Sequence, residues 1–513
     1  MKLTSLPLYG IATVALCPSV LSADDLKLKK IKGKERPMNV VFILSDDHRY
    51  DYMGFMGTQP WLQTPNMDRM AEGGAHLRNA FVTTSLSSPS RASILTGMYS
   101  HSHTVVDNQA PVPEGLTYFP QYLQRAGYNT AFFGKWHMGH ISDEPRPSFT
   151  HWESFLGQGR YYNPRLNING ERIQYEDSTY VTDLLTEHAI DFMKAQDKDQ
   201  PFFVYLSHKG VHVGFEPAKR HKGMYRDVEV VTPANADEPY YGLTVPPTKE
   251  NGKAKSHEAF YGDNMKPNWV KHQRESGHGT GYMYGGSRDY KESIKDYCEA
   301  LMSVDESIGA VMDYLEEAGL ADNTLVIYMG DNGFCWGEHG LIDKRHFYEA
   351  SVRVPMLAYC PSIIKPGTVV DQMVQNIDIA PTALAAAHRE APEQMPGYNM
   401  LTLLQGESPA WRDRIFYEYY WEYEFPQTPT MHGVRTDRYK YIRYHGIWDT
   451  NEFYDLQNDP LELHNLINSP EHQDTIKEMV GSLYDWMESS DGMQIPLKRT
   501  MAPKHDHRND GNR

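Results

Sequence analysis

The sequence predicts an α/β protein: a large, mostly parallel sheet flanked by helices, followed by a smaller C-terminal α+β part that carries an antiparallel sheet. Three observations predict it. Four short runs are apolar at nearly every position and stop abruptly in polar residues, helical patterns lie between them, and from about residue 396 the texture changes to short aromatic strands separated by turns. Runs that are apolar on both faces mark strands buried in a parallel sheet.

The four runs follow one grammar. Asn39-Val-Val-Phe-Ile-Leu44 ends in Ser45-Asp46-Asp47-His48, and Thr130-Ala-Phe-Phe133 ends in Gly134-Lys135-Trp136-His137. Phe202-Phe-Val-Tyr-Leu206 runs into Ser207-His208-Lys209, and Leu325-Val-Ile-Tyr-Met329 into Gly330-Asp331-Asn332-Gly333. Between them, Thr64-Pro65-Asn66 opens a helix with a cap and a proline. Residues 298–318 place Leu301, Val304, Ile308, Val311, Met312 and Leu315 on one helical face, with Glu299, Asp305, Glu306 and Glu317 largely off it. Strands alternating with helices build a parallel sheet, and ligands bind such sheets beyond the carboxyl ends of the strands, where the polar clusters fall. Residues 216–290, rich in Gly, Pro, Tyr, Lys and His, read as a long excursion on the substrate side. Further on, Ile415–Tyr420, His432–Arg435, Tyr439–Arg443 and Glu452–Asp455 read as an antiparallel sheet covered by a helix over 470–488.

At 513 residues the chain exceeds the size at which one hydrophobic core keeps growing, which argues for a catalytic unit over 37–395 and a smaller one over 396–490. Met1 and Lys2 precede an apolar stretch ending in Val20-Leu21-Ser22-Ala23, read as a secretory signal peptide over residues 1–23. Residues 491–513, full of His, Asp, Asn and Arg, read as a disordered tail. With the leader removed, Cys298, Cys335 and Cys360 form neither a disulfide framework nor a zinc site, in keeping with a periplasmic protein whose core needs no staples. No other run is long enough for a membrane helix. A net charge of −17 disfavours nucleic acid as a partner and requires that an anionic ligand be held by a few local cations acting against the global field.

One segment offers such a place. In Ser87-Ser88-Pro89-Ser90-Arg91-Ala92-Ser93-Ile94-Leu95-Thr96-Gly97 a hydroxyl residue precedes a proline-initiated turn of helix, where unpaired N–H groups and the dipole favour an anion, and Arg91 lies one turn on. By itself the segment serves as an oxyanion site or merely as a serine-rich cap. It resembles, however, the signature of the type I sulfatases, Cys or Ser followed by X-Pro-X-Arg. In that family the first residue is oxidised to formylglycine, hydrated, and attacks sulfur through a geminal hydroxyl. The resemblance implies an alkaline-phosphatase-like fold and makes Ser87 the modified residue. It is the serine variant, which bacteria mature before export with a radical enzyme able to work without oxygen.

Other segments resemble the family at matching places. Asp46, Asp47, Asp331 and Asn332 match its metal ligands, joined by the modified Ser87, and an all-oxygen set suits a hard cation such as Ca²⁺. Alone, Asp46-Asp47 reads as a turn or cap. Lys135 and His137 of Gly-Lys-Trp-His match the lysine that contacts sulfate and the histidine that bonds the nucleophile, and Lys344 matches the second sulfate-binding lysine; the resemblance implies that both lysines hold the sulfate together with Arg91 and Ca²⁺. In Pro201–His212 the family spacing puts the leaving-group acid on His212, with His208 as its competitor or as a substrate contact.

The stretches Asp331–Arg345 and Gly433–Asp449 are similar to those of carbohydrate sulfatases acting on glucosamine 6-sulfate. They imply an exo-acting 6-O-sulfatase of glycosaminoglycan or mucin glycans, with Arg345, His445, Trp448 and Asp449 on the sugar. Alternatives at this level are a sulfatase of another sulfated sugar, a phosphate or phosphonate monoesterase, and a non-catalytic glycan binder in which Ser87 stays serine.

Overall fold

The computed structural model describes residues 26–31, 36–139, 142–236, 249–250, 253–254, 266–446 and 449–496. The expected signal peptide, most of the expected tail and Trp448 lie outside the described residues. One sheet of ten strands dominates: β1 (Asn39–Ser45), β2 (Ala75–Leu77), β3 (Asn129–Lys135), β4 (His151–Phe155), β5 (Arg165–Ile168), β6 (Glu171–Gln174), β7 (Phe202–Ser207), β8 (Thr324–Gly330), β9 (Met356–Tyr359) and β10 (Thr368–Val370). Their spatial order is β10-β2-β9-β8-β1-β7-β3-β4-β5-β6. The central neighbours β8-β1-β7-β3-β4 are all parallel, while β9 on one side and β5-β6 on the other run antiparallel to their neighbours.

The centre of the sheet is buried on both faces, which is why its central strands read as continuous apolar runs. Side chains alternate between two packed layers. Val40, Phe42, Leu44, Phe132, Phe203, Tyr205, Ile327 and Met329 belong to one core. Val41, Ile43, Phe133, Val204, Leu206, Val326 and Tyr328 belong to the other. Helices α1 (Pro65–Gly73), α2 (Ser87–Thr96), α3 (Phe119–Arg125), α4 (Val181–Lys194), α5 (Asn268–Arg274), α6 (Tyr290–Glu317), α7 (Ile379–Ala386) and α8 (Gln473–Ser489) complete the principal framework. α2, α3 and α7 cover the first face, and α1, α4 and α6 the second.

The long helix α6 buries the six apolar positions expected of it. Two of its acids depart from expectation: Glu299 and Asp305 are buried, because each caps a neighbouring backbone. Glu299 accepts from the amides of Gly223 and Tyr225 at 2.8 and 3.0 Å. Asp305 accepts from those of Asn66 and Met67 at 3.1 and 2.8 Å, supplying the cap of α1 that Thr64 was expected to provide. Thr64 instead accepts from the Gly54 amide at 2.7 Å and donates to Asp68 at 3.0 Å.

The C-terminal strands β11 (Arg414–Tyr419), β12 (Thr430–Thr436), β13 (Tyr439–His445) and β14 (Glu452–Asp455) form an antiparallel sheet in sequence order. Val434, Tyr441 and Phe453 pack against Ile476, Met479, Leu483 and Met487 of α8. The opposite face, with Ile415, Tyr417, Met431, Ile442 and Tyr454, belongs to the core of the large sheet. Cys298, Cys335 and Cys360 are buried free thiols, and among the described residues no helix is long and apolar enough to cross a membrane.

Candidate active site

The parallel register brings the motifs together. Ser45 on β1 is paired with Gly330 on β8, so Asp46-Asp47 and Asp331-Asn332 leave adjacent strand ends side by side. On the other side of β1 comes β7, then β3, where Gly134 pairs with Ser207. Gly134 sits at φ +106°, and a Cβ there would meet the Ser207 carbonyl oxygen at 1.9 Å, so the approach that delivers Lys135 requires glycine. Helix α2 starts at Ser87 over these ends, buried throughout.

Arg91 is the strut of the assembly. Its Nε and one terminal nitrogen donate to Asp331 Oδ2 at 3.0 and 2.9 Å, and the other donates to the Lys135 carbonyl and Ser207 Oγ at 2.8 and 2.6 Å. Lys135 Nζ donates to Asp46 Oδ2, and Lys344 Nζ to Asp47 Oδ1. Ser87 Oγ donates to Asp46 Oδ1 at 3.4 Å. The Asp47 amide donates to Asp331 Oδ1 at 2.9 Å, and Asn332 Nδ2 to Asp47 Oδ1 at 2.7 Å. Burial opposes ionisation of Asp46, yet Lys135, His212, Arg91 and Lys344 hold its carboxyl well below the usual carboxylate range. Asp47 goes the other way, to about 7, through burial and through Asp46 and Asp331 nearby, with Lys344 opposing. Arg91→Ala is expected to cost about 3–5 kcal/mol, because it strands a buried carboxylate and two further acceptors. A shift of the urea unfolding midpoint checks this, and an unmoved midpoint counts against the strut.

Two histidines face the cluster. His137 Nε2 lies 3.1 Å from the Gln158 amide nitrogen, and its Nδ1 is buried without a partner among the described residues. Burial, then Lys135, pushes the His137 ring well below the usual imidazole range, so it stands neutral. His212 Nε2 is 3.8 Å from Asp47 Oδ2, and burial foremost depresses it too. The negative charge of a bound sulfate ester opposes that depression.

The fit to a divalent cation can be tested on the donors themselves. Asp46, Asp47 and Asp331 gather three carboxylates, and the Asn332 side-chain oxygen is buried with no hydrogen-bond partner among the described residues. Ligand atoms of Asp46, Asp47 and His212 also lie within 4.8 Å of one another, but a set completed by Asp331 and Asn332 is all oxygen and suits a hard cation better. Counted at full ionisation the three acids offset Arg91, Lys135 and Lys344, so a bound divalent ion leaves excess positive charge for a sulfate.

The remaining expected residues separate. Arg345 adjoins Lys344 and is tied to Glu422 and Asp343 at 2.8 and 2.9 Å, its guanidinium 3.5 Å above the Phe425 ring. The described part of the 216–290 excursion reaches the same wall, with His278 Nε2 3.1 Å from Asp343 Oδ2. His445 packs its ring on His432 at 4.9 Å, with Nε2 unpartnered among the described residues. His208 and Asp449 are not brought to the cluster. His208 Nε2 lies 3.0 Å from Ser307 Oγ of α6, and burial alone lowers the ring to about 3. Asp449 accepts from the Trp269 amide at 3.1 Å, a cap on the first turn of α5. Missed by the sequence reading are Gln158, which orients His137, and Lys209. The Lys209 ammonium sits 4.8 Å over the Tyr161 ring, and burial, then Lys135, lowers it to about 8. Lys209 lay inside a motif already singled out, whereas Gln158 carried no signal.

Comparison with known proteins decides the family. A profile described as Sulfatase matches residues 38–389. The chain belongs to the sulfatase family. A second profile, N-sulphoglucosamine sulphohydrolase, C-terminal, matches residues 337–489 of this sulfatase. It is 34% identical to an N-acetylglucosamine-6-O-sulfatase of Bacteroides thetaiotaomicron, covering 97% of this chain and 94% of that protein. It is 29% identical to the human N-acetylglucosamine-6-sulfatase, over 78% of this chain and 70% of that one. Among solved structures, one described as in complex with its substrate D-glucosamine-2-N,6-O-disulfate matches with a TM-score of 0.76 at 30% identity, covering 91% of this chain and all of that one. The sulfatase is thus a sulfuric ester hydrolase, with a fold also seen in a phosphonate monoester hydrolase of Agrobacterium radiobacter at a TM-score of 0.67 and 20% identity.

Proposed function

We propose that this sulfatase removes the 6-O-sulfate of N-acetylglucosamine or glucosamine at the end of glycosaminoglycan or mucin glycans, with Ser87 as formylglycine and Ca²⁺ as its metal. The observation that carries the reading is the convergence of Ser87, three carboxylates and three buried cations at adjacent ends of parallel strands, combined with the 34% identity to a sulfatase of that substrate class. We further propose that a radical enzyme matures Ser87 before export to the periplasm.

Asp46, Asp47, Asp331 and Asn332, with residue 87 beside them, would hold the cation, which supplies Lewis-acid charge to the sulfate oxygens. Oxidised and hydrated, residue 87 supplies a geminal diol able to attack sulfur and then expel sulfate. The other tasks belong to residues as they stand. Lys135 and Lys344 grip the sulfate oxygens and stabilise the charge that builds in the transition state. Arg91, held to Asp331 and the Lys135 carbonyl, fixes the cradle in place. With the Gln158 amide turned so that its oxygen, otherwise unsatisfied, accepts from Nε2–H, neutral His137 keeps Nδ1 free to take a proton from residue 87. His212 gives one to the departing sugar oxygen.

His212→Ala is expected to slow sugar sulfates by about 10²–10⁴-fold while sparing 4-nitrophenyl sulfate, whose phenolate leaves without a proton. Equal losses on the two would remove the acid role from His212. The substrate assignment is tested with matured protein on N-acetylglucosamine 6-sulfate beside galactose 6-sulfate, a 2-O-sulfated uronic acid and an aryl phosphate. Turnover of any of the last three without the first ends it.

A further inference from the structure

Beyond the site lies a cavity of about 310 Å³ among the residues that follow β4 and the hairpin β5-β6 at the edge of the sheet. Its wall includes Asp143, Arg160, Asn163, Arg165, Arg172 and Gln174. The hairpin register explains why cations meet here. Arg165 pairs with Gln174 and Asn167 with Arg172, so Arg165 and Arg172, with Gln174, project from one face of the two strands. Arg172 is neutralised by Asp143 and Glu144, each at 2.6 Å. Arg160 and Arg165 have no ion pair among the described residues, and Arg160 Nε and Asn163 Oδ1 are buried with no hydrogen-bond partner. Arg160, Arg165 and Arg172 against Asp143 and Glu144 leave the hollow net positive in a chain of net charge −17.

One loop borders both the cavity and the active site. Within the loop after β4, Leu156, Gly159 and Arg160 line the cavity, whereas Gln158 contacts His137 and the Tyr161 hydroxyl donates to the His212 carbonyl at 2.7 Å. The Lys209 ammonium sits over Tyr161 of the same loop. The loop that lines the cavity thus also contacts both histidines of the site.

We propose that this cavity is an anion subsite for a second residue of the glycan, with Arg160 and Arg165 gripping a carboxylate or sulfate group on the chain beyond the 6-sulfated sugar. The inference rests on the glycan reading above. A guanidinium fork matches either oxyanion in bidentate fashion, and the charge-assisted bonds it makes are the stronger kind. Arg165 is exposed and unpaired, so its replacement leaves the fold intact.

The test compares matured wild type with the Arg160→Ala/Arg165→Ala double variant and with Arg165→Glu. The substrates are N-acetylglucosamine 6-sulfate and a 6-sulfated tetrasaccharide containing uronic acids. Expected is an unchanged kcat/KM on the monosaccharide and a loss of about tenfold or more on the tetrasaccharide, carried by KM, as removal of charged hydrogen bonds implies. Two further tetrasaccharides distinguish the sources: one with its carboxylates reduced, one without sulfates other than the 6-sulfate. Whichever abolishes the wild-type advantage names the group. Equal kcat/KM ratios for wild type and both variants on every substrate would overturn the proposal. Should wild type fail on the monosaccharide, the glycan reading falls separately, and calorimetric binding of the tetrasaccharide to unmatured protein decides the cavity: weaker binding by the double variant upholds it, and equal binding sinks it.

Discussion

Ser87→Ala is expected to reduce turnover by on the order of 10⁴-fold or more while leaving the protein folded, since a nucleophile acting as part of a unit takes most of the catalysis with it. The structure explains the second half. Ser87 Oγ makes one long hydrogen bond, 3.4 Å to Asp46, and Leu86 is the N-cap residue of α2, so the hydroxyl contributes under about 1 kcal/mol to stability. Thermal unfolding of the variant should therefore overlay that of wild type. A protein purified from a host without the maturing enzyme should behave like the variant, and mass spectrometry of the Ser87 peptide separates the cases, because conversion to the aldehyde removes two hydrogens. A variant that retains full sulfatase activity would displace Ser87 from the reaction.

Lys344→Met should cost about 10²–10³-fold in kcat/KM, the usual scale for removing one preorganised charge from a developing anion. Methionine keeps the bulk of the side chain, so packing against the surrounding buried residues survives and the loss reports charge. The pairing of Lys344 with Asp47 adds a second consequence, because a buried carboxylate loses its partner and stability falls as well. Lys344→Arg should restore little, since a planar fork cannot occupy the place of a compact ammonium between Asp47 and the sulfate. Steady-state kinetics alongside chemical unfolding separate the two effects. Loss of stability without loss of kcat/KM would make Lys344 a structural residue.

Much of this was legible beforehand where burial and chemistry point the same way. The central strands could be read because both their faces are covered, and their polar ends because a parallel sheet collects its chemistry there. The edge hairpin could not. Glu171–Gln174 is exposed at every position, and a strand with one neighbour and no buried face carries no apolar signature. The buried acids Glu299 and Asp305 were misplaced for a related reason, since helical periodicity scores a carboxylate as surface and cannot foresee a backbone amide waiting to be capped. Asp449, expected on the sugar, accepts from the Trp269 amide, and His208, expected as a substrate contact or the competing acid, is held by Ser307.

What the chain by itself determined is the set of local choices: which runs become buried strands, where each ends, which helix opens at Ser87, and which residues have the chemistry to meet a sulfate. Only the tertiary structure decided which of them meet. Asp46-Asp47 and Asp331-Asn332 become one cluster because β1 and β8 are in-register neighbours, and Arg91 reaches Asp331 because α2 is laid across those strand ends. Residue type and spacing are encoded locally, whereas neighbourhood between distant segments is settled by sheet order and packing, which no single segment contains.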